Sequence, residues 1–261
     1  MNNTIQQQIR KTLSSIEREE AVRILYACES GSRAWGFPSQ DSDYDVRFLY
    51  IRQEDWYLSI FDKHDVIERP INDQLDVSGW DLRKALLLLR KSNPPLLEWL
   101  QSPIVYAENA IVTDRIRQLS PAAFSPKSCM YHYLHMARGN YRDYLQGDRV
   151  KIKKYFYVLR PLLACGWIER HGTLPPLRFQ DLVQAMVPAD SELHAAIQDL
   201  LDRKMAGDEL DKESRIEAIS TYLDERITYF EEVALGMTGQ PVVEDSELDQ
   251  LFRSVLKTAW N

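Results

Sequence analysis

Two aspartates set two residues apart, Asp43 and Asp45, lie in Asp41-Ser42-Asp43-Tyr44-Asp45-Val46, where a polar segment gives way to an apolar one. At the entry to a strand, side chains at i and i+2 share a face with Cα atoms roughly 6–7 Å apart, so both carboxylates reach a common cation. Hard Mg²⁺ takes one or two carboxylates together with phosphate oxygens. Two such ions about 3.5–4 Å apart bind the attacking and leaving oxygens of an in-line phosphoryl displacement. That chemistry calls for a third carboxylate. Asp76, in Leu75-Asp76-Val77, is the candidate, and Asp73 is its competitor. The cofactors expected here are two Mg²⁺ or Mn²⁺ ions.

Upstream, Glu29-Ser30-Gly31-Ser32 abruptly ends an apolar run. Gly31 lets the backbone turn tightly and approach a ligand with no side chain in the way. Ser32 offers a hydroxyl and an N–H at a helix start, where the helix dipole favours an anion. A turn of this kind holds the β- or γ-phosphate of a nucleotide, and Arg33 is grouped with it as nucleotide-binding. Taken singly, such a turn is most often an ordinary strand-to-helix junction. It is the glycine-serine turn together with the aspartates beyond it that argues for chemistry.

Rival motifs fail on the letters. Gly31-x4-Gly36 imitates a P-loop, but Phe37-Pro38 stands where Lys and Ser/Thr are required. Asp41-x-Asp43-x-Asp45 imitates a calcium loop, but Val46 and Arg52 replace its Gly and Glu. No Gly-x-Ser-x-Gly or His-Glu-x-x-His occurs. A second cluster lies between Val150 and Trp167. Lys153, Tyr157 and Arg160 fall at i, i+4 and i+7 of a helical reading, with Lys154 beside them. They read as a nucleotide-binding face whose cations neutralise charge on a pyrophosphate leaving group. The alternative is a solvated helix surface.

The elements that position these residues follow from periodicity. Residues 4–20 carry Ile5, Ile9, Leu13 and Ile16 at helical spacing. Val22 to Cys28 and Tyr44 to Ile51 read as strands, as do the shorter segments Asp65 to Glu68 and Gln74 to Val77. Asp81 reads as the N-cap of a helix that ends at Asn93-Pro94-Pro95. Beyond Ser120-Pro121 strand signals fade and helical patterns run from Lys127 to Leu145, Val150 to Arg170 and Ser191 to Leu235, with a last short helix from Glu247 to Trp260. The expected architecture is α+β: a small mixed sheet with helices over residues 1–120, followed by an all-helical domain over 121–261.

The bulk composition is that of an ordinary globular chain: 261 residues, 44% hydrophobic and 27% charged. A net charge of −7 announces no global affinity for nucleic acid. The three cysteines are far apart, so neither a disulfide framework nor a zinc site is expected. No apolar run is long enough to span a bilayer, and the polar N-terminus is unlike a signal peptide. The expected location is the cytoplasm, with no membrane partner.

The pattern Gly31-Ser32-x3-Gly36-x5-Ser42-Asp43-x-Asp45 resembles the signature of the DNA polymerase β nucleotidyltransferase superfamily. More closely, GSRAWGF, DSDYDVRF, SGWDLRKAL, NPPLLEWLQSPIVY and KKYFYVLRP resemble the YcgL-type predicted nucleotidyltransferases, some of which lie beside RNA ligase genes. The resemblance implies that Gly31 and Ser32 contact a triphosphate and that Asp43 and Asp45 hold both metals. Asp76 would bind the catalytic metal and help deprotonate or orient the attacking hydroxyl. It implies NTP as substrate, with ATP favoured, and an acceptor hydroxyl slightly favoured to be an RNA end. A non-catalytic nucleotide sensor or antitoxin-like protein on the same fold, or an adenylyltransferase acting on a small molecule or protein, remains the alternative.

Overall fold

The computed structural model describes residues 3–70, 74–208, 210–239 and 242–260. In chain order the elements are α1 (Asn3–Glu20), β1 (Arg23–Glu29), α2 (Gly31–Ala34), β2 (Tyr44–Ile51), α3 (Glu54–Tyr57), β3 (Val66–Glu68), β4 (Leu75–Asp81), α4 (Leu82–Arg90), α5 (Pro94–Leu100), β5 (Val105–Glu108) and α6 (Ala110–Ala123). They continue with α7 (Pro126–Tyr144), β6 (Arg149–Lys151), α8 (Phe156–His171), α9 (Phe179–Met186), α10 (Glu192–Ala206), β7 (Lys212–Ser214), α11 (Glu217–Gly236) and α12 (Asp245–Thr258). The fold is α+β, with a five-stranded mixed sheet in the order β3-β4-β2-β1-β5. No helix among the described residues is long and apolar enough to cross a membrane.

Contacts divide the chain into two compact units. A sheet unit comprises Met1–Ala34, Asp43–Ala123 and Pro241–Asn261, and a helical unit comprises Trp35–Ser42 and Phe124–Gln240. The sequence suggested one boundary at residue 120, whereas two segments change sides. Residues 35–42 join the helical unit because Phe37 stacks on Phe156 at 4.7 Å and meets Phe179 edge-on at 5.4 Å. The C-terminal helix α12 joins the sheet unit because its apolar side, Leu248, Leu251 and Val255, is buried there. Phe252 also meets Tyr57 edge-on at 5.0 Å.

Among the described residues of the sheet unit only β2 and β4 run parallel, and β1 pairs antiparallel with both β2 and β5. Alternation gives β2 two chemistries. Tyr44, Val46, Phe48 and Tyr50 are buried in one cluster with the apolar side of α1, namely Ile5, Ile9, Leu13 and Ile16. Burying each such aliphatic side chain stabilises the unit by roughly 1.5–3 kcal/mol, so α1 clamps that face. Asp45 and Arg47 fall on the opposite face. Opposite Phe48 in the register stands Gly79, where a Cβ would lie 2.2 Å from the phenyl ring. The glycine exists to let that ring lie across β4.

Asp81 caps α4 as the sequence suggested, accepting from the Arg83 backbone N–H at 2.8 Å. Asn93-Pro94-Pro95 does more than stop a helix. Asn93 Oδ1 accepts from Leu96 N–H at 3.1 Å and starts α5, with prolines in the first turn, where no N–H is missed. The strand β5 escaped the sequence reading because four residues carry too little alternation. α6 runs through Ser120-Pro121 to Ala123. Ser125 then caps α7, accepting from Ser128 N–H at 3.2 Å. The helical unit departs from all-helical by one ladder, in which Val150 pairs with Glu213. That ladder's three-residue strands are also too short to read from pattern.

Candidate active site at the β1–α2 turn and the β2–β4 pair

The chain leaves β1 at Glu29 and turns at once. Ser30 N–H donates to the Asp45 carbonyl at 2.8 Å, which ties the turn to the start of β2. Gly31 has φ +59°, in the left-handed region, and a Cβ placed on it would fall 2.1 Å from Asp45 Oδ2. Glycine is therefore required twice, by conformation and by space. The following helix α2 is a single turn of four residues. A single turn is too short to sum the aligned peptide dipoles of a long helix.

Asp45 and Asp76 are Cα partners in the parallel β2–β4 ladder. Partners in register project to the same face about 4.8 Å apart. Their side chains are 30% and 31% exposed, accessible to solvent yet partly enclosed. Asp43 is exposed just before β2, and its carbonyl accepts from Arg33 Nε at 3.1 Å. The Arg33 guanidinium lies 3.7 Å over the Tyr44 ring. Burial raises the Asp45 carboxyl above the usual carboxylate range, Asp76 and Asp43 push in the same direction, and Arg47 and Arg33 oppose them. Asp73 lies outside the described residues.

The donor set fits a hard divalent cation in chemistry: carboxylate oxygens, partly enclosed and carrying like-charge strain that a cation relieves. Among the described residues, however, no three acidic, histidine or cysteine side chains are gathered tightly enough to hold an ion as they stand. Arg47 lies between two of them, 3.2 Å from Asp45 Oδ1 and 2.7 Å from Asp76 Oδ2.

The second cluster belongs to the helical unit and is arranged differently from its helical reading. Residues Ile152–Tyr155 form a 3₁₀ turn, and α8 begins only at Phe156. The change of pitch breaks the single face proposed for Lys153, Tyr157 and Arg160. Lys153 is exposed. Lys154 Nζ lies 4.4 Å from the Tyr144 ring and 4.8 Å from the Tyr157 ring. Burial, with Lys151 and Lys153 nearby, holds the Lys154 amine below its usual range. Arg160 is only 2% exposed, so it is not a solvated surface residue. Its guanidinium donates to the Leu177 carbonyl at 3.3 Å and lies 4.5 Å over Trp35, and Tyr157 meets Trp35 edge-on at 6.0 Å.

Residues 5–254 match the RlaP family, the RNA repair pathway DNA polymerase beta family. The chain belongs to that family. It is also 52% identical over 256 residues to the uncharacterized protein YcgL of Bacillus subtilis (strain 168), covering 98% of each chain. A nucleotidyltransferase-like protein from Exiguobacterium sibiricum 255-15 aligns over 95% of this chain and 89% of its own at 15% identity, with a TM-score of only 0.29. Membership of RlaP places the chain among nucleotidyltransferases of the DNA polymerase β type, as the Gly31-Ser32 and Asp43-x-Asp45 spacing implied.

Two residues of this RlaP chain that touch the aspartates escaped the sequence reading. One is Arg47. The other is Glu29, the last residue of β1, which is fully buried. Its carboxylate accepts the Asp45 backbone N–H at 2.8 Å and the Tyr106 hydroxyl. Burial pushes its pKa from 4.5 up to about 7. Glu29 pairs with Val46 across β1 and β2, so it lies on the α1 side of the sheet and anchors the backbone of Asp45 from beneath. The available signal was a charged residue ending an apolar run, which by itself is indistinguishable from a solvated strand end.

Proposed function

We propose that the protein transfers a nucleoside monophosphate from an NTP, with ATP favoured, to an acceptor hydroxyl, with release of pyrophosphate. The observation that carries this reading is the in-register pairing of Asp45 and Asp76 beside the Gly31 turn, in a chain of the RlaP family. The acceptor oxygen would attack the α-phosphorus as the bond to the pyrophosphate oxygen breaks, and the hydroxyl proton would pass to Asp76. Asp43, Asp45 and Asp76 would hold two Mg²⁺ or Mn²⁺ ions, which when bound neutralise the charge developing in an in-line displacement. Backbone N–H groups at Gly31 and Ser32, with Arg33 beside them, would bind the triphosphate. An RNA end is the favoured acceptor, supported by the family's description as an RNA repair pathway group.

The test is Mg²⁺-dependent release of pyrophosphate from each NTP, with and without RNA carrying free ends. Asp43→Ala and Asp45→Ala should each abolish release while leaving a folded protein. Full activity in either variant would remove that residue from the site. Transfer of label to a small molecule or protein, with none to RNA, would keep the chemistry and discard the RNA acceptor.

A further inference from the structure

Arg47 follows Asp45 by two positions on β2, and its guanidinium is shared among four oxygens. Nη2 donates to Asp45 Oδ1 at 3.2 Å and to Asp76 Oδ2 at 2.7 Å. Nη1 donates to the Asp76 carbonyl at 3.0 Å and to the Val46 carbonyl at 3.2 Å. The side chain is mostly enclosed, at 18% exposure. The backbone bonds fix the plane of the guanidinium against both strands, and they do not depend on the carboxylates. A lysine ammonium, a point charge without the planar fork, would not satisfy carbonyls and carboxylates together.

Two carboxylates held in register on neighbouring strands repel one another unless a cation lies between them. Arg47 supplies that charge through one nitrogen while its other terminal nitrogen holds the strands. A divalent ion shared by Asp45 and Asp76 competes for the same oxygens and is repelled by the guanidinium. Resting on the reading of these aspartates as cation ligands, the geometry points to Arg47 as an internal counter-ion. It holds the two carboxylates together in the cation-free protein and gives them up as a divalent ion binds, keeping its carbonyl bonds. Arg47 is thus a positioning residue that sets how readily the site loads, and it lowers the affinity of a site it also preserves.

The test uses Mn²⁺ alone as probe, titrated into the full chain and followed by the paramagnetic resonance of free Mn²⁺, beside thermal melts in EDTA and in excess MnCl₂. Arg47→Gln removes the competing charge from a partly exposed site and should bind Mn²⁺ more tightly, by on the order of tenfold. It should melt below the native protein in EDTA and gain more from Mn²⁺ than the native protein does. Arg47→Lys, which keeps the charge but not the fork, should fall between the two, and it carries the test if Arg47→Gln does not fold. Equal or weaker Mn²⁺ binding in the variant that folds, while the native protein binds and Asp45→Asn does not, overturns the role of Arg47 alone. Absence of Mn²⁺ binding in the native protein and both variants removes the cation site, and this role with it.

Discussion

Gly31→Ala offers a direct measure of how closely the turn and the carboxylate are fitted together. Gly31 has φ +59°, and placing an L residue in the left-handed region costs roughly 1–2 kcal/mol. The new methyl would also lie 2.1 Å from Asp45 Oδ2 and 3.0 Å from its Cγ. The carboxylate has to rotate away, and it then leaves Arg47. Because the Asp45 side chain is 30% exposed, losing that ion pair adds no more than about 1 kcal/mol. Together the substitution costs about 1–3 kcal/mol, a fall in melting temperature of roughly 2–12 °C for a chain of this size.

Gly172→Ala separates the two contributions. Gly172 ends α8 with φ +63°, and a Cβ there meets open space. It carries the backbone cost of about 1–2 kcal/mol without the collision. Urea unfolding of both variants therefore gives the collision as a difference. Pyrophosphate release should fall on the order of a hundredfold in Gly31→Ala, since a displaced reacting group of about 1 Å has that effect, and should be unchanged in Gly172→Ala. Equal stability losses in the two variants, with native turnover in Gly31→Ala, would refute the reasoning.

Glu29→Gln tests the buried carboxylate under Asp45. Its folded pKa of about 7 stands above the unfolded 4.5, so the folded state binds the extra proton, and stability is lost as pH rises from about 4.5 through 7. At about 1.4 kcal/mol per unit the loss reaches about 3 kcal/mol. The glutamine variant, measured in EDTA, should gain on the native protein across that window, and a pH-independent difference would sink the assignment. Gly79→Ala should destabilise by about 1–3 kcal/mol or more through overpacking against Phe48, with the Phe48→Leu background restoring part of the loss. An unaffected melting curve would contradict the close approach of ring to strand.

Much of the scaffold was legible because its signals are local. The α1 stripe, the β2 run and the Asp81 cap each rest on residues near one another in sequence, and so does the Gly31-Ser32 to Asp43-x-Asp45 spacing. What could not be read is set by register. That Asp76 faces Asp45 depends on which residue of β4 lies opposite which of β2, and period-two alternation leaves that choice open. Arg47 and Glu29 were missed for the same reason: each matters through a partner on another strand. Lys153 parts from Tyr157 and Arg160 because a 3₁₀ turn before α8 shifts the phase that a continuous helix would have kept.

The structure also makes the two motif aspartates unequal. Three polar atoms of Asp45 have a hydrogen-bond partner. Its N–H is taken by Glu29, its carbonyl by Ser30 and its Oδ1 by Arg47, while its Oδ2 faces the missing side chain of Gly31. Asp43 is exposed, and it is its carbonyl that meets Arg33. Removing the Asp45 carboxylate therefore frees a charge on Arg47 as well as a ligand position, so Asp45→Ala alters stability and chemistry together. Removing the Asp43 carboxylate leaves the carbonyl contact in place. Asp43→Ala should keep the native stability to within the roughly 0.5 kcal/mol expected of an exposed substitution while turnover is lost. Turnover lost without any loss of stability would make Asp43 the cleaner probe of the chemistry. A melting temperature lowered as far as in Asp45→Ala would show that both aspartates are structural.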